Sequence, residues 1–203
     1  MRRFTAVLWS VALVAGCGGS TVMIPPRLTL APYQRVGLIT FTTENARGAL
    51  GSLATDRFRD EIFAAQAGVE VLELGGQDTL LAAVGRPRLD PDAVRAIGEQ
   101  EGVSALFAGH LVVSNVKPRA RLGPEPGIAA EVTVTLTVRL LTTEAGATAW
   151  SSSAQVTETI AGLAVVGGTP VFGAQDPNEA YGELVGLLVH RVTRDLWPTS
   201  ERR

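Results

Sequence analysis

Cysteine is almost absent from this sequence: Cys17 is the only one among 203 residues. A single thiol cannot form a disulfide within the chain, and it cannot build a cysteine-based metal site. Histidine is also scarce, with only His110 and His190. Metal-binding histidines usually occur in clusters with a defined spacing, so we expect structural or surface roles for both. The sequence therefore predicts neither a metal nor another cofactor.

The chain also lacks a strong charge of either sign. It holds 18 Lys and Arg residues against 20 Asp and Glu residues, and Lys117 is the only lysine. Without residues 1–16, 16 basic residues remain against 20 acidic ones, a net charge of −4. Nucleic-acid-binding domains carry an excess of positive charge, so this composition gives no support for a nucleic-acid partner.

Recognisable catalytic patterns are missing as well. Ser151, Ser152 and Ser153 follow Trp150, but no G-x-S-x-G elbow surrounds them. The stretch "GALG", Gly48 to Gly51, lacks either phosphate-loop signature and is typical of the start of a helix. The sequence therefore predicts a protein that is not an enzyme.

The chain has no apolar run long enough to span a membrane as a helix, for which about 20 residues are needed. Its apolar run, Phe4 to Val14, follows Arg2 and Arg3 and precedes the small residues Ala15 and Gly16. A positive segment, a short apolar segment and small residues are typical of a secretion signal. We therefore expect residues 1–16 to be a signal peptide.

An ordinary secretion signal does not explain the cysteine that follows it. The residues here resemble the lipobox of bacterial lipoproteins, which places a hydrophobic residue and small residues before an acceptor cysteine: Leu13, Val14, Ala15, Gly16 and Cys17. The resemblance implies cleavage before the cysteine, a diacylglyceryl thioether on its sulfur, and acylation of its new amino group, for example by palmitate. Two or more such chains anchor a protein stably, whereas one binds only reversibly.

The resemblance also implies a location. In lipoproteins an aspartate directly after the acceptor favours retention in the inner membrane, and here that position is Gly18. The implied location is the outer membrane, facing the periplasm, if the cell has two membranes. The alternative is that Cys17 is incidental, either lost with a cleaved peptide or left as a free thiol.

We expect a tether over residues 17–32, one α/β domain over 33–198, and a polar tail over 199–203. The pattern predicts a strand near Val36, then a helix with one apolar stripe, then a strand in "VEVLEL". Asp90 and Pro91 predict the start of a helix that Gly102 ends. The stripe of the first helix consists of Leu50, Ala54, Phe58 and Ile62.

The second half begins with "VSALFAGHLVVS", whose continuous apolar character predicts a central strand. Val132 to Leu140 alternates apolar and polar residues, which predicts a strand that pairs in a hairpin with "AWSSSAQVTETI". Residues 161–175 lack either period and predict a loop or an irregular extension, and Asp176 with Pro177 predicts the start of a terminal helix. The order indicates a mixed, partly parallel sheet with packed helices.

In this order the stretches "RVGLITF", "VEVLEL", "IGEQEGVSALFAGHLVVS" and "VTVTLTVRLLTTEAGATAWSSSA" resemble a periplasmic superfamily. Its members include the curli-secretion lipoprotein CsgG, the penicillin-binding-protein activator LpoB and the amino-terminal domain of TolB. The resemblance covers roughly Tyr33 to Trp197. Thr143 to Gly146 is a permuted form of the family's hairpin turn, and the first strand ends in Thr40-Phe41 without the usual proline.

These observations favour a lipid-anchored periplasmic accessory module that docks a protein partner in envelope biogenesis, either in activation of a cell-wall synthase or in outer-membrane assembly. The first alternative is a subunit of a secretion pore like the curli exporter, since Val132 to Leu140 has the length of a membrane strand. The second is an uncharacterised hydrolase. The candidate partner-binding residues lie in the apolar segment 161–175, which could instead cover the core: Leu163, Val165, Val166, Val171 and Phe172.

Replacing the acceptor cysteine tests the anchor. The native protein should carry a lipid-sized mass increment on a chain that starts at Cys17, and it should sediment with the outer membrane. Cys17→Ser should lose both properties, because serine provides no sulfur for the thioether. Intact-mass measurement and membrane fractionation check this, and an unmodified soluble wild-type protein would contradict the lipobox interpretation.

Overall fold

The computed structural model describes residues 21–46, 49–114, 117–121, 127–161, 163–166, 169–172 and 177–202, with side chains over 22–46, 49–114, 132–157 and 182–201. The helices are α1 (Leu50–Ala65), α2 (Gln77–Ala83), α3 (Pro91–Glu101) and α4 (Pro177–Val192). The first six strands are β1 (Thr21–Ile24), β2 (Arg35–Thr40), β3 (Thr42–Glu44), β4 (Glu70–Gly76), β5 (Ala105–Val113) and β6 (Lys117–Arg121). The remaining strands are β7 (Gly127–Thr142), β8 (Ala147–Ala161), β9 (Leu163–Val166), β10 (Thr169–Phe172) and β11 (Thr199–Arg202).

Seven of these strands form one mixed sheet in the order β4-β2-β5-β7-β6, with β3 also paired to β5 and β8 paired to β7. Strands β2, β4 and β5 are parallel, whereas β5, β7 and β8 are antiparallel neighbours. This confirms the predicted fold class, including the hairpin of β7 and β8 and the terminal helix.

Helices cover the two faces of the sheet unequally. On one face, α1 and α4 pack over apolar side chains from β2, β5, β7 and β8. On the other face, a smaller cluster joins Leu80 of α2 and Val94 and Ile97 of α3 to Leu106 and Leu141. Neighbouring residues of a strand point to opposite faces, so the two clusters lie on opposite sides of the sheet.

Aromatic rings connect α1 to the sheet in the larger cluster. The Phe58 ring of α1 lies 5.2 Å from the ring of Phe41 and 5.1 Å from that of Phe107, and Phe107 lies 6.3 Å from Trp150 of β8. Glycine at position 109 makes room for this arrangement, because a β carbon there would lie 2.4 Å from the Phe41 ring. The stack therefore spans the sheet from the junction of β2 and β3 to β8.

Sequence predictions for several elements are confirmed. In α1 the predicted stripe of Leu50, Ala54, Phe58 and Ile62 is buried. Helix α3 begins after Asp90, whose side chain accepts a 2.9 Å hydrogen bond from the Ala93 N–H, and it ends at Gly102 in the left-handed conformation. The same hydrogen bond lowers the pKa of the Asp90 carboxyl, because it favours the charged form.

Residues on both sides of the predicted 33–198 domain also take part in the described structure. Residues 21–24, predicted as part of a tether, form β1, which pairs antiparallel with β11 in the predicted polar tail. Leu28 and Leu30, also within the predicted tether, are buried at 8% and 0% exposure. This part of the predicted tether therefore packs against the domain, because two of its leucines enter the core.

Gln66 holds this extended segment in place. Its amide oxygen accepts a 2.8 Å hydrogen bond from the Leu30 N–H, and its amide nitrogen donates to the carbonyl oxygens of Leu28 at 2.6 Å and Leu196 at 3.0 Å. The Gln66 side chain thus connects residues that precede β2, the first strand of the main sheet, with a residue that follows α4. We call the segment of residues 25–30 the strap.

The sheet has two distinct ends. At the lower end β2, β4 and β5 begin, β7 turns into β8, and α1 and α4 terminate near the strap. At the upper end β6 continues along β7 after β5 has finished, pairing Lys117 with Glu131 and Arg121 with Gly127. Residues 163–166 and 169–172, predicted as part of a loop, follow β8 as a short antiparallel pair. The strap and the strand extension are therefore at opposite ends.

Removing the Gln66 amide should weaken the fold. Gln66→Ala leaves the Leu30 N–H and two carbonyl groups without their partner, so we expect a loss of about 2–3 kcal/mol in the free energy of unfolding. The matched control is Gln100→Ala on α3, where the amide is exposed and bonds only its neighbour Glu101. Urea denaturation of both variants measures the difference, and equal stabilities would contradict the role assigned to Gln66.

Candidate functional site: an open face of the sheet

Several candidate residues from the sequence fall outside the described part of the structure. Cys17 lies in residues 1–20, which the structure does not describe. The backbones of Leu163, Val165 and Val166 lie in β9, and those of Val171 and Phe172 in β10, but their side chains are outside the described set. Lipidation and partner binding at these positions therefore stay predictions.

Within the described residues, a polar surface lies on the part of the sheet that α2 and α3 leave uncovered. It is formed by alternate residues of β7 and β8, together with His110 of β5 and two residues of β3. We call this surface the open face. Its members are Thr42, Glu44, His110, Thr133, Thr135, Thr137, Arg139, Ser151, Ser153, Gln155 and Thr157.

A row of four polar side chains crosses the open face at one level. The backbone register places Thr42, His110, Thr137 and Ser153 side by side on β3, β5, β7 and β8. Thr42 Oγ1 lies 2.8 Å from Nδ1 of His110, and the hydroxyl oxygens of Thr137 and Ser153 are 3.0 Å apart. Glu44 adds a carboxylate 3.6 Å from Nε2 of the same histidine.

A second hydroxyl pair lies further up the hairpin, where Thr133 and Thr157 bring their side-chain oxygens to 2.9 Å. Hydroxyl groups both donate and accept hydrogen bonds, so these rows offer a partner many polar contacts without a fixed charge. Arg139 and Glu44 are exposed at the margin of the surface and supply one charge of each sign. Such a surface suits recognition by many hydrogen bonds.

The described residues give little support for metal binding or for catalysis by the two histidines. No group of three or more His, Cys, Asp or Glu side chains there is arranged to hold a metal ion. His110 contacts a threonine and a glutamate at an exposed sheet surface. His190 is exposed on α4, with Nδ1 3.5 Å from a carboxylate oxygen of Glu61.

The apolar side of β7 faces the helices α1 and α4. Val132, Val134, Leu136, Val138 and Leu140 are all buried beneath the α1 and α4 layer. These are the side chains that suggested a membrane strand of a secretion pore, and in this structure they belong to the core of the domain. Among the helices of the described residues, none combines the length and apolar character that crossing a membrane requires.

Comparison with known proteins returns structures but no sequence family. No protein-family model matches the chain, and no curated protein matches it. Among solved structures, the PelC dodecamer from Paraburkholderia phytofirmans is similar at 15% identity, covering 88% of this chain and 96% of that one, with a TM-score of 0.44.

Two further similar structures are a lipoprotein by name and the C-terminal domain of LpoB. Lipoprotein GNA1162 from Neisseria meningitidis matches at 17% identity over 62% of this chain and 83% of that one, with a TM-score of 0.39. The LpoB C-terminal domain from Escherichia coli matches at 14% identity over 62% and 83%, with a TM-score of 0.37. LpoB, one of the predicted relatives, is thus among the matches, and the resemblance to CsgG and TolB stays a prediction.

Part of the open face could be read from the sequence and part could not. The period-two pattern separates Thr133, Thr135 and Thr137 from the buried valines, so their common side is predictable. The position of His110 beside Thr137 depends on antiparallel pairing between β5 and β7, which no local signal specifies. The placement of α3 at the lower end, which leaves the upper hydroxyls uncovered, depends on close contact between Gly98 and Thr143.

Two isosteric exchanges at adjacent positions of β7 test this division of faces. Thr137→Val removes a hydroxyl from the open face and should change the free energy of unfolding by less than about 1 kcal/mol. Val138→Thr places a hydroxyl in the apolar core and should cost about 1–3 kcal/mol, because no partner there replaces water. Chemical denaturation compares them, and a larger loss for Thr137→Val would contradict the assignment.

Proposed function

We propose that this protein is a lipid-anchored accessory module of the bacterial cell envelope, held at the outer membrane through Cys17, and that it acts by docking a protein partner on the open face. The proposal assigns it no catalytic step. The single observation that carries it is the unequal covering of the sheet: α1 and α4 bury one face, while no described helix covers the hydroxyl-rich part of the other.

The geometry of the two ends supports an anchored docking module. Cys17 precedes β1 by only a few residues, and the strap that follows β1 is bonded to the lower end of the sheet. Attachment through Cys17 therefore holds the lower end near the membrane. The open face and the β6–β7 extension lie toward the upper end, where a periplasmic partner can reach them.

Two kinds of partner fit such a module: a cell-wall synthase that the contact activates, and a component of outer-membrane assembly. Both are proteins that a lipoprotein meets at the periplasmic side of the membrane. The open face bonds through hydroxyls and one charge of each sign, so the partner surface should be polar and close to neutral. Identification of the bound protein separates the two.

Photocrosslinking from single positions tests the docking surface. A photoreactive amino acid at Ser151, exposed on the open face, should crosslink to one envelope protein in living cells. The matched control is Ala64, exposed on α1 on the opposite, helix-covered side, which should give no such adduct. Mass spectrometry of the adduct identifies the partner.

The outcomes distinguish the parts of the proposal. An adduct from position 151 alone supports docking on the open face, and its identity assigns the partner to wall synthesis or to membrane assembly. An adduct from position 64 alone would place docking on the helical side and overturn the assigned surface. No adduct from either position, with the protein located at the outer membrane, would contradict the docking function.

A further inference from the structure

We propose that the two-stranded ribbon of β1 and β11 lies in the headgroup region of the lipid bilayer, with Met23 directed into the lipid. This inference rests on the proposed anchor at Cys17 and adds a second, non-covalent contact with the membrane. It assigns an interaction surface to strands that make no contribution to the main sheet.

Unusual exposure of apolar side chains marks the ribbon. Met23 is 70% exposed, Val22 is 42% and Ile24 is 40%, so one short strand contains three of the five large apolar side chains that are exposed in the described residues. β1 bonds to β11 on one side only, within the described strands, which leaves its other edge open. An open apolar edge invites aggregation unless something covers it.

The two sides of the ribbon differ in charge. Paired residues of antiparallel strands share a side, so Met23 lies with Ser200, whereas Val22 lies with the acidic Glu201. The Met23 side therefore presents the most exposed apolar side chain without a carboxylate opposite it. Arg27 follows the strand in the strap; its side chain is 87% exposed, and its guanidinium lies 3.9 Å from a carboxylate oxygen of Asp195. This combination suits an apolar surface beneath phosphate headgroups.

The short distance along the chain between Cys17 and β1 indicates that the ribbon contacts lipid. Four residue steps separate Cys17 from Thr21, and an extended chain spans at most about 3.6 Å per residue, so β1 begins within about 14 Å of the lipidated residue. Acyl chains on that residue lie in the bilayer. The ribbon is thus confined to the membrane surface by covalent geometry.

The lower end next to the ribbon is compatible with this placement. A shallow cleft of about 480 Å³ lies beside the strap, and its lining contains no charged residue. Pro26 follows β1 and Pro198 precedes β11, and both line the cleft together with the turn after α1. Because Gln66 bonds the strap to that turn, the ribbon and the cleft belong to one end of the domain.

Fluorescence from a single introduced thiol tests the placement in the native, lipidated protein. Lipidation converts Cys17 to a thioether, so Met23→Cys provides the only free thiol for an environment-sensitive dye. The protein is reconstituted in vesicles of phosphatidylethanolamine and phosphatidylglycerol, some with spin-labelled lipids. The matched control is Ser52→Cys, exposed on the first turn of α1, about 21 Å along that helix from Gln66.

The expected result is a shift of the emission to shorter wavelength and quenching by spin-labelled lipid at position 23, with neither effect at position 52. Intact mass first establishes that the chain is lipidated; an unlipidated chain removes the anchor and this inference with it. Lipidated protein with unquenched, water-exposed dye at position 23 overturns the inference and leaves the anchor standing. A disulfide between two copies through Cys introduced at position 23 would also overturn it, because the strand then pairs with another protein chain.

Discussion

The contact of Phe58 with Phe41 and Phe107 is the interaction on which the rest of the structure depends. These rings join the middle of α1 to β5 and to the residue between β2 and β3, and Trp150 continues the stack to β8. A fully buried aromatic ring removes some 150–250 Å² from water, so this stack is a major contributor to the core. Trp150 also donates a 3.1 Å hydrogen bond to Asp195, which ties the chain after α4 to the same cluster.

Two consequences follow from fixing α1 and α4 on one side. The apolar alternation of β7 is directed toward these helices, so its threonines point to the other side, where α3 reaches only the lower end. In addition, α1 ends at Gln66 beside the strap, and this brings the beginning and the end of the described chain together as the β1–β11 ribbon. The proposed docking surface at one end and the proposed attachment point at the other both depend on this packing.

Sequence patterns predicted the local elements well and the long-range relations less well. The caps of α3 and the alternation of β7 are local features, so Asp90, Gly102 and Val132 to Leu140 could be assigned from neighbouring residues alone. The pairing of β1 with β11 could not be predicted, because the two strands lie about 180 positions apart and short strands of this kind carry no periodic signal. Leu28 and Leu30 are apolar, but their burial could not be predicted from nearby residues. Their backbone is held against the domain by hydrogen bonds from the distant Gln66. The row from Thr42 to Ser153 likewise depends on register between four strands.

In the envelope, a partner should occupy the open face of the sheet. Hydrogen exchange tests this when the protein in intact outer membranes is compared with the purified lipidated protein. The account predicts slower exchange in the membrane for backbone amides of β8, whose outer edge is unpaired within the described strands, and unchanged exchange in the exposed turns around α2. Identical exchange of β8 in both states, with protection only on the outer surface of α1 or α4, would contradict it.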